Sequence, residues 1–242
     1  MIEETYAALK AWDFSLSKRQ NLARLREKNT IGAGSATWLR DVAKLINRRF
    51  DPAGRDRPLA LLAANGCDFD VWRPILLWHM TRDEFLLRDF LLNWLFPAHE
   101  AGALRLRTED LHSYLRTIRN RGGVTEHPWT EVTLKRVGTA LLRLAADFGL
   151  LKGGQAKEFA SYHLPEKSFL YLLHAVFEQV GNAGMVITAS DWRMFLMHPS
   201  DVERELLRLH QFQKLDYQVA GSLVQLTLPC ATAQEYAEKL MA

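Results

Sequence analysis

From residue 17 to residue 96, apolar residues return at helical spacing, interrupted at "GAGS", "DPAGRDRP" and "NGCDFD" and expected to stop at Pro97. This period is incompatible with an extended sheet, whose faces alternate every second residue. The reading is an N-terminal helical bundle over residues 1–100. Within it "SATWLRDVAKLINRRF" turns Trp38, Val42, Leu45 and Ile46 inward and repeats Arg40, Lys44 and Arg48 at a spacing of four on the outer face. Arg49 lies nearer the apolar side, where its stem can cover that surface. Trp72, Trp78 and Trp94 stand in apolar helical context and read as core.

The middle of the chain is more punctuated. "TEDLHSYLRTIRNR" (108–121) reads as one helix capped by Thr108, with basic residues in its last turn and Gly-Gly after it. In "PWTEVTLKRVGTALLRLAADFGLLKGG" the apolar side is Leu134, Val137, Leu141, Leu144 and Phe148. Lys135, Arg136, Thr139 and Arg143 lie opposite, with Thr130 as cap and Gly149 as stop. "LLKGGQAKEFASYHL" reads as a short hairpin. Helix, loop, basic helix and hairpin form the order of a winged helix-turn-helix, expected over 101–180. A second, more acidic one is expected over 181–242. Ahead of it "PEKSFLYLLHAVFEQVGNAG" is a further helix closed by Gly181 and Gly184; within the second unit "SDWRMFLM" and "SDVERELLRLHQF" are helices, and "KLDYQVAGSLVQLTL" is a hairpin around "AGS". The fold class is therefore mainly α, a helical bundle followed by winged-helix units with short β-hairpins.

Charge is unevenly placed along the 242 residues. Residues 1–56 hold 11 Lys and Arg against 7 Asp and Glu, a net of +4, and residues 101–157 hold 10 against 5, a net of +5. Residues 57–100 and 158–242 are net −2 and −4 (4 against 6, and 6 against 10), which gives +3 for the chain. In a winged helix, Arg119 and Arg121, the exposed face of the basic helix, and Lys152 and Lys157 beside the Gly-Gly turn come to one side. Such a surface suits double-stranded DNA, whose phosphates release counterions to Lys and Arg. The basic helix face has no Asn or Gln, so the expectation is largely sequence-independent binding through the backbone. In the second unit Asp201, Glu203 and Glu205 near the helix start repel phosphates and favour a protein contact, while Arg204, Arg208 and Lys214 leave a weaker case for DNA.

Nothing in the sequence makes an active site. There is no phosphate-binding loop, no dinucleotide glycine motif and no H-E-x-x-H helix, and "HEAGALR" lacks the second histidine. The eight histidines are scattered without metal-ligand spacing, and Ser190-Asp191 and Ser200-Asp201 read as helix caps. No catalytic residue, metal, cofactor or small-molecule substrate is expected. Cys67 and Cys230 are too few and too far apart for a disulfide framework, which suits a reducing cytoplasm. The N-terminus lacks a secretory pattern, and "FLLRDFLLNWLF", broken by Arg88 and Asp89, is too short for a bilayer.

Three stretches together resemble the BrxA family of bacteriophage exclusion (BREX) defence systems: "NLARLREKNTIGAGSATWLRDVAKLINRRF", "WTEVTLKRVGTALLRLAADFGLL" and "KEFASYHLPEKSFLYLLHAV". They span roughly residues 20–178, and from about 185 onward the likeness is weaker. The resemblance implies a mainly helical cytoplasmic protein that binds DNA through winged-helix architecture without catalysis, alongside other BREX proteins. It carries over to Arg40, Lys44, Arg48, Lys135, Arg136 and Arg143. The alternatives are an adaptor that assembles other defence subunits, and an RNA-binding helical protein.

Overall fold

Side-chain caps decide where the early helices begin. The Ser17 hydroxyl accepts from the Gln20 amide and the Gln20 side chain accepts from the Ser17 amide (2.9 Å), while Ser35 Oγ accepts from the Trp38 amide (3.2 Å). The computed structural model describes residues 1–125, 127–221 and 223–240, and these are mainly helical with two small antiparallel hairpins. Contacts group the chain into two units: 1–80, 165–186 and 209–242, and 81–164 with 187–208. Both draw on separated segments, whereas the sequence reading divides the chain into consecutive spans.

The first unit opens with α1 (Ile2–Lys10), α2 (Lys18–Lys28), α3 (Ala36–Arg49), α4 (Arg57–Ala64) and α5 (Phe69–Thr81). On α3 the inward stripe is Leu39, Val42, Ala43 and Ile46. Trp38 is 38% exposed and Leu45 half-buried, because the i, i+3, i+4, i+7 arc starts at Leu39 and leaves both at its margins. A buried polar chain crosses this unit. Asp56 Oδ1 lies 2.6 Å from His79 Nδ1, and His79 Nε2 lies 2.8 Å from the Tyr171 hydroxyl. Burial acts to raise the Asp56 pKa, but the hydrogen bond and charge of His79 outweigh it and hold the carboxyl below its usual value.

In the second unit, α6 (Phe85–Phe90), a π-helical turn (Leu91–Leu95) and α7 (Phe96–Glu100) form one continuous helical run. Pro97 therefore does not stop the helix. The Phe96 amide bonds back five residues to Leu91, and this wider register passes over the place where Pro97 has no N–H to give. The expected single helix over 108–121 is three short pieces: 3₁₀ turns at Thr108–Leu111 and Ile118–Arg121 flanking α8 (His112–Arg116). Its break has a local cause. The Tyr114 carbonyl accepts from the Thr117 hydroxyl (2.9 Å) and Arg121 Nη2 (2.9 Å), so it is lost to the amide four residues on. Thr108 is the first residue of the segment, and Arg107 occupies the cap position. Next come α9 (Glu131–Asp147), β1 (Leu151–Lys152) and β2 (Glu158–Phe159).

Beyond these lie α10 (Glu166–Val180), α11 (Ala183–Thr188), a 3₁₀ segment (Ser190–Phe195), α12 (Pro199–Gln211), β3 (Asp216–Ala220), β4 (Leu223–Thr227) and α13 (Ala233–Leu240). Gly181 does end α10, in a left-handed conformation, but Gly184 sits inside α11. Asp191 pairs with Arg88 (3.0 Å), while Asp201 caps, accepting from the His198 amide (2.8 Å). The expected "AGS" turn includes Ser222, which lies outside the described residues. α13, absent from the sequence reading, packs on α4 and α10.

His174 on α10 is buried and stacked on Tyr236 of α13 at 4.8 Å, with Nδ1 2.6 Å from the Leu170 carbonyl. Burial lowers its pKa below the ordinary histidine value, against the pull of the Leu170 hydrogen bond, Glu178 and Glu235 and with the push of Lys239. The unfolded chain then takes up the proton first as pH falls, so protonation favours unfolding. Stability measured by urea titration is expected to drop from pH 7.5 to pH 5, and His174→Phe to flatten that part of the drop.

Candidate nucleic-acid interface

α9 is delimited as its sequence demands. Thr130 Oγ1 accepts from the Thr133 amide (3.3 Å), and Gly149 stops the helix with φ +80°. Its buried line is Leu134, Gly138, Leu141, Leu142 and Ala145, with Phe148 just beyond. Val137 and Leu144, expected inward, are only half-buried. Lys135, Arg136, Thr139 and Arg143 are exposed, and among the described residues none of the three cations pairs with a carboxylate.

A groove of about 980 Å³ runs along this face. Lys135, Thr139 and Arg143 form one wall, Arg107 to Glu109 another, and residues 154–157 of the hairpin turn a third, with Asp147 at the end of α9. The hairpin is fixed by two pairs, Leu151 with Phe159 and Lys152 with Glu158. Reciprocal 2.8 Å bonds between Leu106 and Lys157 tie it to the strand-like residue before the 108–121 segment. That segment comes close to α9 because Gly138 has no side chain. A Cβ there would meet Thr108 Cγ2 at 3.1 Å, and beside it Thr108 Oγ1 and Thr139 Oγ1 are 3.2 Å apart.

The groove thus gathers Lys135, Thr139, Arg143 and Lys157 from the residues singled out in the sequence. Lys157 is half-buried, with Nζ donating to the Gly153 carbonyl (2.7 Å) across the turn. Arg136, Arg119 and Lys152 are exposed on the same unit outside the groove lining. Arg40, Lys44 and Arg48 are exposed on α3 of the other unit. Sequence reasoning missed Arg107, Glu109, Asp147 and Gln155. The run "RLRTED" held a signal for Arg107, since two arginines flank the one residue, Leu106, that pairs with the hairpin.

Arg121 is differently placed. Its Nε donates to Asp89 Oδ2 (3.0 Å), Nη1 to the Thr117 hydroxyl (2.7 Å), and its guanidinium stacks 4.0 Å from the Tyr114 ring. Asp89 is buried and also accepts from Asn93 (2.7 Å) and from the Tyr114 hydroxyl. Burial acts to raise the Asp89 pKa, yet these three donors bring it below the usual carboxylate value, while burial and the Asp89 carboxylate raise that of Tyr114. Arg121 is therefore half-buried and its charge is met inside the fold.

A family model matches residues 1–175. The chain belongs to the BrxA family. Members are components of BREX phage defence, which makes this BrxA-family chain part of a multi-protein system. No curated protein matches it. The match takes in the whole groove and α3 and stops inside α10. Among the described residues no helix is long and apolar enough to cross a membrane, and no group of three or more His, Cys, Asp or Glu could hold a metal ion.

Asp89→Ala leaves Arg121 and Tyr114 without their buried acceptor, and is expected to cost about 3 kcal/mol in urea unfolding followed by tryptophan fluorescence. Tyr114→Phe, which removes one donor of three, is expected to cost about 1 kcal/mol.

Proposed function

We propose that this BrxA-family chain is a non-enzymatic cytoplasmic subunit that binds duplex DNA, largely through the phosphate backbone, with the basic surface of residues 105–157. The observation that carries the reading is the line of unpaired cations Lys135, Arg136 and Arg143 on a helix followed at once by a hairpin. The order α7, the Leu106 bridge, the 108–121 segment, α9 and β1–β2 supports a winged helix-turn-helix, with α9 entering the major groove and residues 153–157 forming the wing. Arg119, Lys152 and Lys157 then flank the duplex. Arg40, Lys44 and Arg48 on α3 give the other unit a second cationic face. Arg121 serves by holding the 108–121 segment in shape, since its charge is already matched.

The alternative, an adaptor for other BREX proteins, draws on α12. There Arg204 is paired with Asp201, Arg208 with Glu205 (2.6 Å), and Leu207 is exposed. Nuclease-treated pull-downs separate the two readings, because only the adaptor keeps its partners when nucleic acid is gone.

Fluorescence anisotropy with duplex DNA across a salt series tests the main reading, with an RNA hairpin as competitor. Each phosphate contact adds about 0.9 to the slope of log affinity against log salt. Arg143→Ala is expected to lower that slope by about one contact's worth. Reversing Lys135, Arg136 and Arg143 to Glu together should abolish binding at low salt, and unchanged affinity would return these residues to a solubilising role.

A further inference from the structure

Val132 is 78% exposed in the first turn of α9. It packs in no core, and a β-branched residue is not what helix propensity selects for a solvated position. At 100° per residue it lies within about 20° of Thr139 and Arg143, with Lys135 and Arg136 to either side, so it occupies the middle of the cationic face. The carboxylate of the same turn is taken up elsewhere. Glu131 receives Arg116 Nη2 at 2.5 Å and faces His112 Nδ1 at 3.5 Å, and the Arg116 hydrogen bond holds its pKa below the usual value. An acidic residue at the head of a DNA-facing helix is in this way matched before any phosphate approaches.

A lone exposed valine on a protein surface is ordinary. Its place here is what matters, because residues in the N-terminal part of a groove-entering helix are the ones that reach base edges. Valine has no hydrogen-bonding group and cannot read the donors and acceptors of guanine, adenine or cytosine. The apolar group that a major groove offers is the C5-methyl of thymine. We propose that Val132 is a specificity-determining residue that packs its γ-methyls on thymine C5-methyls, giving α9 a preference for thymine in a duplex otherwise held by its phosphates. This rests on the reading of residues 105–157 as a duplex-binding surface and departs from the expectation of sequence-independent binding.

The test uses the full chain and two duplexes, one of alternating dA and dT and one in which dU replaces every dT, which removes the methyl and keeps every hydrogen-bonding group. The wild-type chain is expected to bind the dU duplex about fourfold more weakly per methyl contacted. Val132→Ala should bind the two alike, with the salt slope of the wild type because no phosphate contact is lost. Equal wild-type affinity for both duplexes, or a preference that survives Val132→Ala, overturns the proposal while leaving the duplex reading intact. Failure to bind either duplex at low salt is a different result and overturns the surface itself.

Discussion

A buried carboxylate must be matched or neutralised, and in residues 81–164 that demand falls on Asp89. Asn93, Tyr114 and Arg121 meet it, one from the next turn of its own helical run and two from the 108–121 segment. Bringing Arg121 back onto Tyr114 breaks the regular helix there, while Thr108, in the 3₁₀ turn ahead of α8, closes on Gly138 of α9. The groove beside Lys135 and Arg143 has its second wall for that reason. A straight helix over 108–121 would present other residues to α9.

The same matching sorts the arginines of this unit into two kinds. Arg88, Arg116 and Arg121 each face a carboxylate and help to hold the fold, whereas Arg136 and Arg143 face none among the described residues. Net charge by block, +5 over residues 101–157, does not distinguish them. A cation whose field is already cancelled by a neighbour adds little to the attraction of a polyanion. The cationic surface of this unit is thus narrower than the count of basic residues implies, since Arg116 and Arg121 fall out of it.

Much of this was legible in the sequence. Helical periodicity gave α9 with its cap and stop, and alternation around small turn residues located both hairpins. What escaped turns on a partner or a register that helical periodicity alone does not show. Arg121 looks like a C-terminal helix charge until Asp89 is seen beneath it. Pro97 looks like a stop until the π-turn shifts the register before it. Trp38 looks like core because tryptophan usually is, yet the inward arc of α3 starts one residue later. The Asp56, His79 and Tyr171 chain could not be read at all, since nothing local marks three residues that meet only when α10 packs.

Sequence distance also orders events in time. Thr108 and Thr139 are 31 positions apart, whereas His79 reaches Tyr171 across 92. Shorter loops close at lower entropic cost and local contacts form sooner, so the groove walls, all drawn from residues 107–157, can assemble while the polar chain of the other unit still waits for α10. On the ribosome, the cationic surface would take shape before the C-terminal elements that complete the other unit have been made.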